Sequence, residues 1–180
     1  MGHIDDLLVN KATVQNLRGE KFINKNLLVR SATTAHDLTA TAHDLTVIYT
    51  GTMDGEISLP DATADNVGMK IKLCFAAAAG NTARHMGFKD SGTTVLFGRL
   101  VTGLAAGAAA KENVTFAITS NAQSLEIDAD DETAAGGAAG STYEFTYFDV
   151  NKVFVEAFGV VGGTTATAPD AAASTTSGTS

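Results

Sequence analysis

The chain has 180 residues, enough for one domain with extra arms or for two very small ones. Its formal net charge of −8 makes an acidic surface that repels phosphate backbones, so direct binding to nucleic acid is not expected. One cysteine, Cys74, excludes an intrachain disulfide, and no apolar run reaches the roughly 20 residues that span a bilayer.

Apolar residues make up 44% of the chain, but much of that is alanine, which buries little area. The large side chains are nine Phe and three Tyr, with no Trp. They concentrate from Phe75 onward, so the core is expected there. The opening Met1–Leu8 lacks the basic-then-apolar order of a secretion signal, and Gly2 leads into His3, Ile4 and acidic residues rather than a myristoylation pattern. Synthesis in a cytoplasm is the expectation.

Residues 1–45 read as an extended arm. Asp5 or Asp6 is suited to cap a short helix, but Asn10, Asn16, Gly19, Asn24 and Asn26 interrupt a long one. The apolar residues come in separated clusters: Leu7 and Leu8, Val14 and Leu17, Phe22 and Ile23, then Leu27 to Val29. That spacing suits an arm that lays side chains into successive pockets of another surface. Lys11, Arg18, Lys21, Lys25 and Arg30 give it a basic bias. These charges suit solvation, a phosphate contact or an acidic neighbouring protein.

A repeat follows. Thr34-Ala35-His36-Asp37-Leu38-Thr39 recurs as Thr41-Ala42-His43-Asp44-Leu45-Thr46. Two His-Asp pairs raise a metal or proton-relay reading, since a carboxylate can orient an imidazole. On a strand, however, adjacent side chains face opposite ways, so each Asp is badly placed to serve its own His. Local duplication is the simpler account; a metal held by His36 or His43 about a symmetry axis is the alternative.

From residue 46 to residue 159 the signals are all β. Val47-Ile48-Tyr49 leads through Asp54-Gly55, a tight-turn dipeptide, into a predicted hairpin spanning Gly51 to Phe75. Glu56-Ile57-Ser58-Leu59 is its first strand, stopped by Pro60. Asp61 to Gly68 is its turn. Met69, Ile71, Leu73 and Phe75 form the buried face of its second strand; Lys70, Lys72 and Cys74 face the other way. Further strands are predicted at Thr93 to Leu100, around Val114, Phe116 and Ile118, at Leu125 and Ile127, at Tyr143, Phe145 and Tyr147, and at Val153 to Phe158. The alanine run from Leu104 to Lys111 reads as a loop. Many short strands with Gly, Asn and Asp between them predict an all-β, antiparallel β-sandwich or barrel of jelly-roll type. Residues 160–180, rich in Gly, Ala, Thr and Ser, form a C-terminal tail whose composition alone does not offset its ordering entropy.

No constellation for catalysis emerges. Cys74 has no flanking base to activate it as a nucleophile. Asp128, Asp130, Asp131 and Glu132 are the densest acidic cluster; they lack the sixth-position Gly and distant Glu of an EF-hand loop, which leaves an exposed acidic loop or a Ca²⁺ held by alternate carboxylates. Ser141 follows Gly140 but precedes a strand, unlike a nucleophile at a strand-to-helix turn. Arg84 and His85 read as loop polarity. No catalytic, cofactor-binding or metal residue is assigned, and no enzyme activity is expected.

Three pieces together carry a resemblance. Ile57-Ser58-Leu59-Pro60 is followed by Asn66-Val67-Gly68-Met69 and the Lys-bearing strand to Phe75. A middle of short strands and Ala/Gly loops comes next. Gly140-Ser141-Thr142-Tyr143-Glu144-Phe145 then leads through Asp149 to Lys152 into Val153-Phe154-Val155-Glu156-Ala157. Over Thr46 to Phe158 this resembles small virion structural proteins of tailed, cyanophage-like bacteriophages. It departs in the closing strand, where Val153 precedes Phe154 and a Trp is usual. The resemblance implies a capsid decoration (cement) protein, often a homotrimer, on the outer surface of the head. Its partner would be the major capsid protein, and its arm and tail would stabilise capsomer contacts. A tail, fibre or adhesin module that binds a receptor is the alternative.

Overall fold

Short alternating segments with few long apolar runs cannot bury themselves singly and must pair. The computed structural model, which describes residues 26–31, 33–78, 84–88, 93–104, 115–127, 137–161 and 170–172, resolves them into two sheets and no helix among those residues. Strands are numbered in chain order. One sheet has seven strands, in the order β1 (Leu27–Arg30), β3 (Leu45–Tyr49), β5 (Lys70–Phe75), β10 (Thr142–Asp149), β11 (Lys152–Val161), β7 (Val95–Leu104) and β8 (Thr115–Ala122). The other has five: β12 (Asp170–Ala172), β9 (Ser124–Ile127), β6 (Arg84–Phe88), β4 (Met53–Leu59) and β2 (Thr33–Asp37).

Both sheets are mixed, which corrects the antiparallel expectation. β1, β3 and β5 pair in parallel in one sheet, as do β2, β4 and β6 in the other. Parallel neighbours need a long crossover, usually a helix. Here the crossover is a strand of the opposite sheet: the chain alternates between sheets from β1 to β6, in the manner of a two-sheet coil. The Gly51–Phe75 stretch is therefore not a hairpin. β4 lies in the five-stranded sheet and β5 in the seven-stranded one. Asp54-Gly55 is not a turn between strands either. It lies inside β4, where Thr33 and Ala35 pair with Met53 and Glu56 and Gly55 has φ of 90°, so the dipeptide makes a bulge. Arg84 and His85, read as loop, begin β6.

The second half closes the sheets. β10 and β11 form an antiparallel hairpin, with Asn151 in the left-handed region (φ 61°) at its turn. β10 pairs with β5, and β11 runs parallel to β7 over ten residues. The stretch expected as an arm, 1–45, already contributes β1 and β2 to the sheets. Within 160–180, residues 170–172 pair with β9 as β12. Composition does not reveal this pairing because Asp and Ala are not residues that mark a strand. Residues 1–25, 32, 162–169 and 173–180, the acidic cluster Asp128 to Glu132 and the alanine run after Leu104 lie outside the described residues.

One hydrophobic core takes residues from both sheets. The face expected to be buried in β5, Ile71, Leu73 and Phe75, is buried; so are Tyr143, Phe145 and Tyr147 from β10 and Val153, Val155 and Ala157 from β11. Opposite them in the other sheet are Ile57, Leu59, Met86, Phe88 and Leu125. Tyr49 stacks on its cross-strand partner Phe75 at 5.0 Å, and Phe75 meets Tyr143 edge-on at 5.8 Å. Such aromatic pairs add about 0.5–1.5 kcal/mol each beyond area burial. Buried hydroxyls are tied down: Tyr147 donates to the Pro60 carbonyl at 2.9 Å, and burial pushes its phenol well above the usual range.

Candidate functional site: the outward face of the seven-stranded sheet

Alternation that buries one set of side chains presents the other set to solvent, and the registers assemble that set into rows. One row reads Leu27, Thr46, Lys72, Glu144, Glu156, Arg99, Ala117 across seven strands. Glu144 and Glu156 stand directly opposite each other, an arrangement that repels. Cations on both sides offset it. Lys70 bonds Glu144 at 3.0 Å, and Lys72 is the cross-strand partner of Glu144 on β5. On the far side the Arg99 Nε donates to Glu156 Oε1 at 3.1 Å. The Glu144 carboxylate, through that hydrogen bond first, raises the Lys70 pKa above its ordinary value.

Apolar rows flank this charged row. On one side Val29, Ile48, Cys74, Thr142, Phe158 and Val101 follow one another across six strands. On the other, Phe97 meets Phe154 at 6.0 Å and Phe148 at 4.8 Å, both edge-on. Of the large apolar side chains exposed among the described residues, Leu27 (48%), Val29 (58%), Phe148 (42%), Val150 (45%) and Phe158 (45%) lie on β1, on the β10–β11 hairpin or at its turn; Val67 is the other.

The residues singled out in the sequence sit elsewhere or play structural parts. His36 is buried in β2, and its Nδ1 lies 2.6 Å from the Tyr49 hydroxyl on β3, so the pair bridges the two sheets. Burial first, and the Arg30 charge second, lower the His36 pKa below its ordinary 6.5, while Asp37 opposes them. His43, in the second copy of the repeat, is exposed. Asp37 accepts from the Thr39 amide (2.8 Å) and hydroxyl, and Asp44 accepts from the Lys70 amide (2.7 Å). The two carboxylates thus fix backbone rather than imidazoles. Cys74 is half-buried on the outward face. Ser141 is fully buried; its hydroxyl donates to the Ala138 carbonyl (2.7 Å) and accepts from the Val160 amide (2.9 Å), which locks the start of β10 onto β11.

Beside the repeat, Thr39, Thr41, Pro60, Asp61, Thr63 and Asp65 line a concavity of about 340 Å³. Asn66 braces its floor by accepting from the Thr63 amide (2.8 Å) and donating to the Asp61 carbonyl (2.7 Å). Among the described residues no three His, Cys, Asp or Glu side chains are grouped to hold a metal ion.

Comparison with known protein families, with characterised proteins and with solved structures finds no match to this chain. The outward face was missed in the sequence because its members are local to nothing. Lys72, Arg99, Glu144 and Glu156 are each only the polar position of one strand, and register alone brings them together. The weak local signal was the phenylalanine at polar phase: Phe148, Phe154 and Phe158 alternate with the buried set rather than belonging to it.

Proposed function

We propose that this protein is a structural component of a tailed-bacteriophage particle, a decoration or cement protein bound to the outer surface of the head. In this reading the two sheets face each other as a β-sandwich around the shared core, and copies associate as a homotrimer against the major capsid protein. The observation that carries it is the outward sheet face. Exposed Phe, Leu and Val flank a locally balanced row of charges, and aromatics with Arg are what adhesive patches favour. An overall charge of −8 suits the outside of a shell, away from packaged DNA. The mechanism is adhesion, with the sheet face and the terminal segments adding buried area across capsomer seams. An antibody against the protein, applied to particles separated into heads and tails, tests the assignment. Signal over the head surface is the expected result. Signal confined to tails, or absence from the particles, overturns it.

A further inference from the structure

On the outward face, β7 and β11 carry a pattern that is its own complement. The two strands run parallel and in one register over ten residues. Alternation turns Phe97, Arg99 and Val101 of β7 outward, beside Phe154, Glu156 and Phe158 of β11. The register sorts them into three level pairs. Phe154 and Phe97 are aromatic neighbours, Glu156 and Arg99 an ion pair, Phe158 and Val101 an apolar pair. Arg99 and Glu156 are more than half exposed, and Phe158 is nearly so.

A two-fold axis parallel to the strands, midway between β7 and β11, sets β11 of a second copy over β7 of the first. Because these strands are parallel, the overlying strands run the same way and the pairs stay level. Each side chain then meets its complement: Phe154 faces Phe97, Phe158 faces Val101, and Glu156 faces Arg99 of the other copy. The four charges form a square in which every neighbour, within the sheet or across the contact, has the opposite sign. Sheets packed face to face lie about 10 Å apart with strands within about 30°, a gap that side chains from both sides fill. The next outward positions on β8 are small: Ala117 comes over Glu144, and Thr115 over Thr142. Arg99 of the second copy therefore reaches a concavity of about 350 Å³ lined by Thr142, Glu144, Glu156 and Phe158.

The same registers reject other axes. Midway between β10 and β11, Glu144 would face Glu156. Across the strands at the charged row, Glu156 would face Glu156 and Arg99 would face Arg99. Midway between β5 and β10, Lys72 would face Glu144, but Lys70 would face Thr146 and Cys74 would face Thr142, with no apolar pair gained. Of these four axes, only the one between β7 and β11 matches charge and apolar contact together.

We infer that the outward face of β7 and β11 is a self-association surface whose occupant is a second copy of this chain, related by that two-fold axis. Such an isologous contact is the commonest way identical chains pair. Six side chains per copy are far fewer than the roughly 20–30 residues a side of a standard interface, so the pair is weak, with a Kd on the order of 0.1 mM. The pair belongs to the free protein and parts before the face meets a capsid, so it stands or falls separately from the head-surface reading.

Sedimentation of the full chain from about 10 µM to about 1 mM should show a monomer–dimer equilibrium. Arg99→Glu and Glu156→Arg should each weaken it at least about 10-fold, because the square then holds four charges of one sign. Both positions are exposed, where an ion pair adds little to the fold. Mixed one to one, the two variants should pair about as tightly as the unmodified chain, since an all-acidic square edge meets an all-basic one. A role confined to the ion pair within one chain predicts no such recovery. Phe158→Ser should also weaken pairing at least about 10-fold, whereas Val67→Ser, equally exposed but off this face, should not. That comparison stands even if a charge reversal fails to fold. Absence of dimer at the highest concentration, unchanged pairing by a single reversal, or no recovery in the mixture overturns the proposal. Equal weakening by Phe158→Ser and Val67→Ser overturns it too, since that would mark general stickiness.

Discussion

Gly98→Ala is the sharpest probe of the parallel β7–β11 pairing. Gly98 sits opposite Val155 in that ladder with φ of 151°, a conformation that L side chains rarely adopt. A Cβ there would lie 1.9 Å from the Val155 carbonyl oxygen and 2.8 Å from its carbon. Ordinary carbon–carbon contact needs about 3.5–4.0 Å, so backbone must move by more than 1 Å, and no side chain can swing aside to absorb it. Gly103, five residues along the same strand, is the control. A Cβ at that position meets the Phe158 ring at 2.3 Å, but that ring is half-exposed and can rotate away. Gly98→Ala should cost about 3 kcal/mol or more, as backbone strain and overpacking do. Gly103→Ala should cost about 1 kcal/mol or less. For a chain of this size each kcal/mol moves Tm by about 2–4 °C, so the expected gap is several degrees by calorimetry or urea unfolding. If the two variants unfold together, the register that places Gly98 against Val155 is wrong.

Three other perturbations test separate parts of the molecule. The folded His36 pKa is lowered, so the unfolded chain binds the extra proton first; the stability due to the neutral imidazole is full above about pH 6.5 and falls as pH drops through the lower folded value. His36→Gln should flatten the slope of stability against pH in that window, and an unchanged slope assigns it to other groups. Ser141→Ala removes the hydroxyl that bridges the Ala138 carbonyl and the Val160 amide, and should cost about 1–3 kcal/mol in urea unfolding; an unchanged midpoint would mean that the bridge is not formed. Replacing Phe148 and Phe158 together by Ser should leave Tm nearly unchanged, since both are half-exposed, yet weaken attachment to capsids at least about 10-fold. Full attachment by that variant would move the adhesive surface elsewhere.

Local pattern was legible wherever burial of one face dictates it. Met69 to Phe75 and Tyr143 to Tyr147 alternate so strictly that phase, buried set and strand type all follow from the residues. β6 was missed because Met86 and Phe88 are only two apolar residues in phase, and Gly87 between them carries no polar side chain to mark the alternation. The structure explains that glycine: a Cβ there would lie 3.0 Å from the Ser124 Cβ on the neighbouring strand. Asp54-Gly55 was misread because the same left-handed glycine serves a hairpin turn or a bulge, and only the partner strand decides which. The larger miss was the direction of pairing. Nothing in Met53–Leu59 or Lys70–Phe75 states whether the intervening turn folds the chain back on itself or carries it to another sheet. That choice is set by β2, β3 and β10, which supply the neighbours.

The same non-local logic sets the charge of the outward face of the seven-stranded sheet. Lys70, Lys72 and Arg99 surround the opposed Glu144 and Glu156, so this patch has no negative excess although the chain as a whole carries −8. The repulsion that keeps acidic copies apart is therefore smallest where the apolar rows are exposed. Beyond about 10 Å in physiological salt the remaining charges are screened, and contact is governed by the patch itself. Two facing glutamates would be a liability on an ordinary sheet surface, since like charges opposite one another destabilise. Paired with cations from the flanking strands, they instead fix a charge order of plus, minus, minus, plus across β5, β10, β11 and β7. Under the proposed adhesive role, a partner would have to match that order as well as cover the phenylalanines, which would let the face select what it binds.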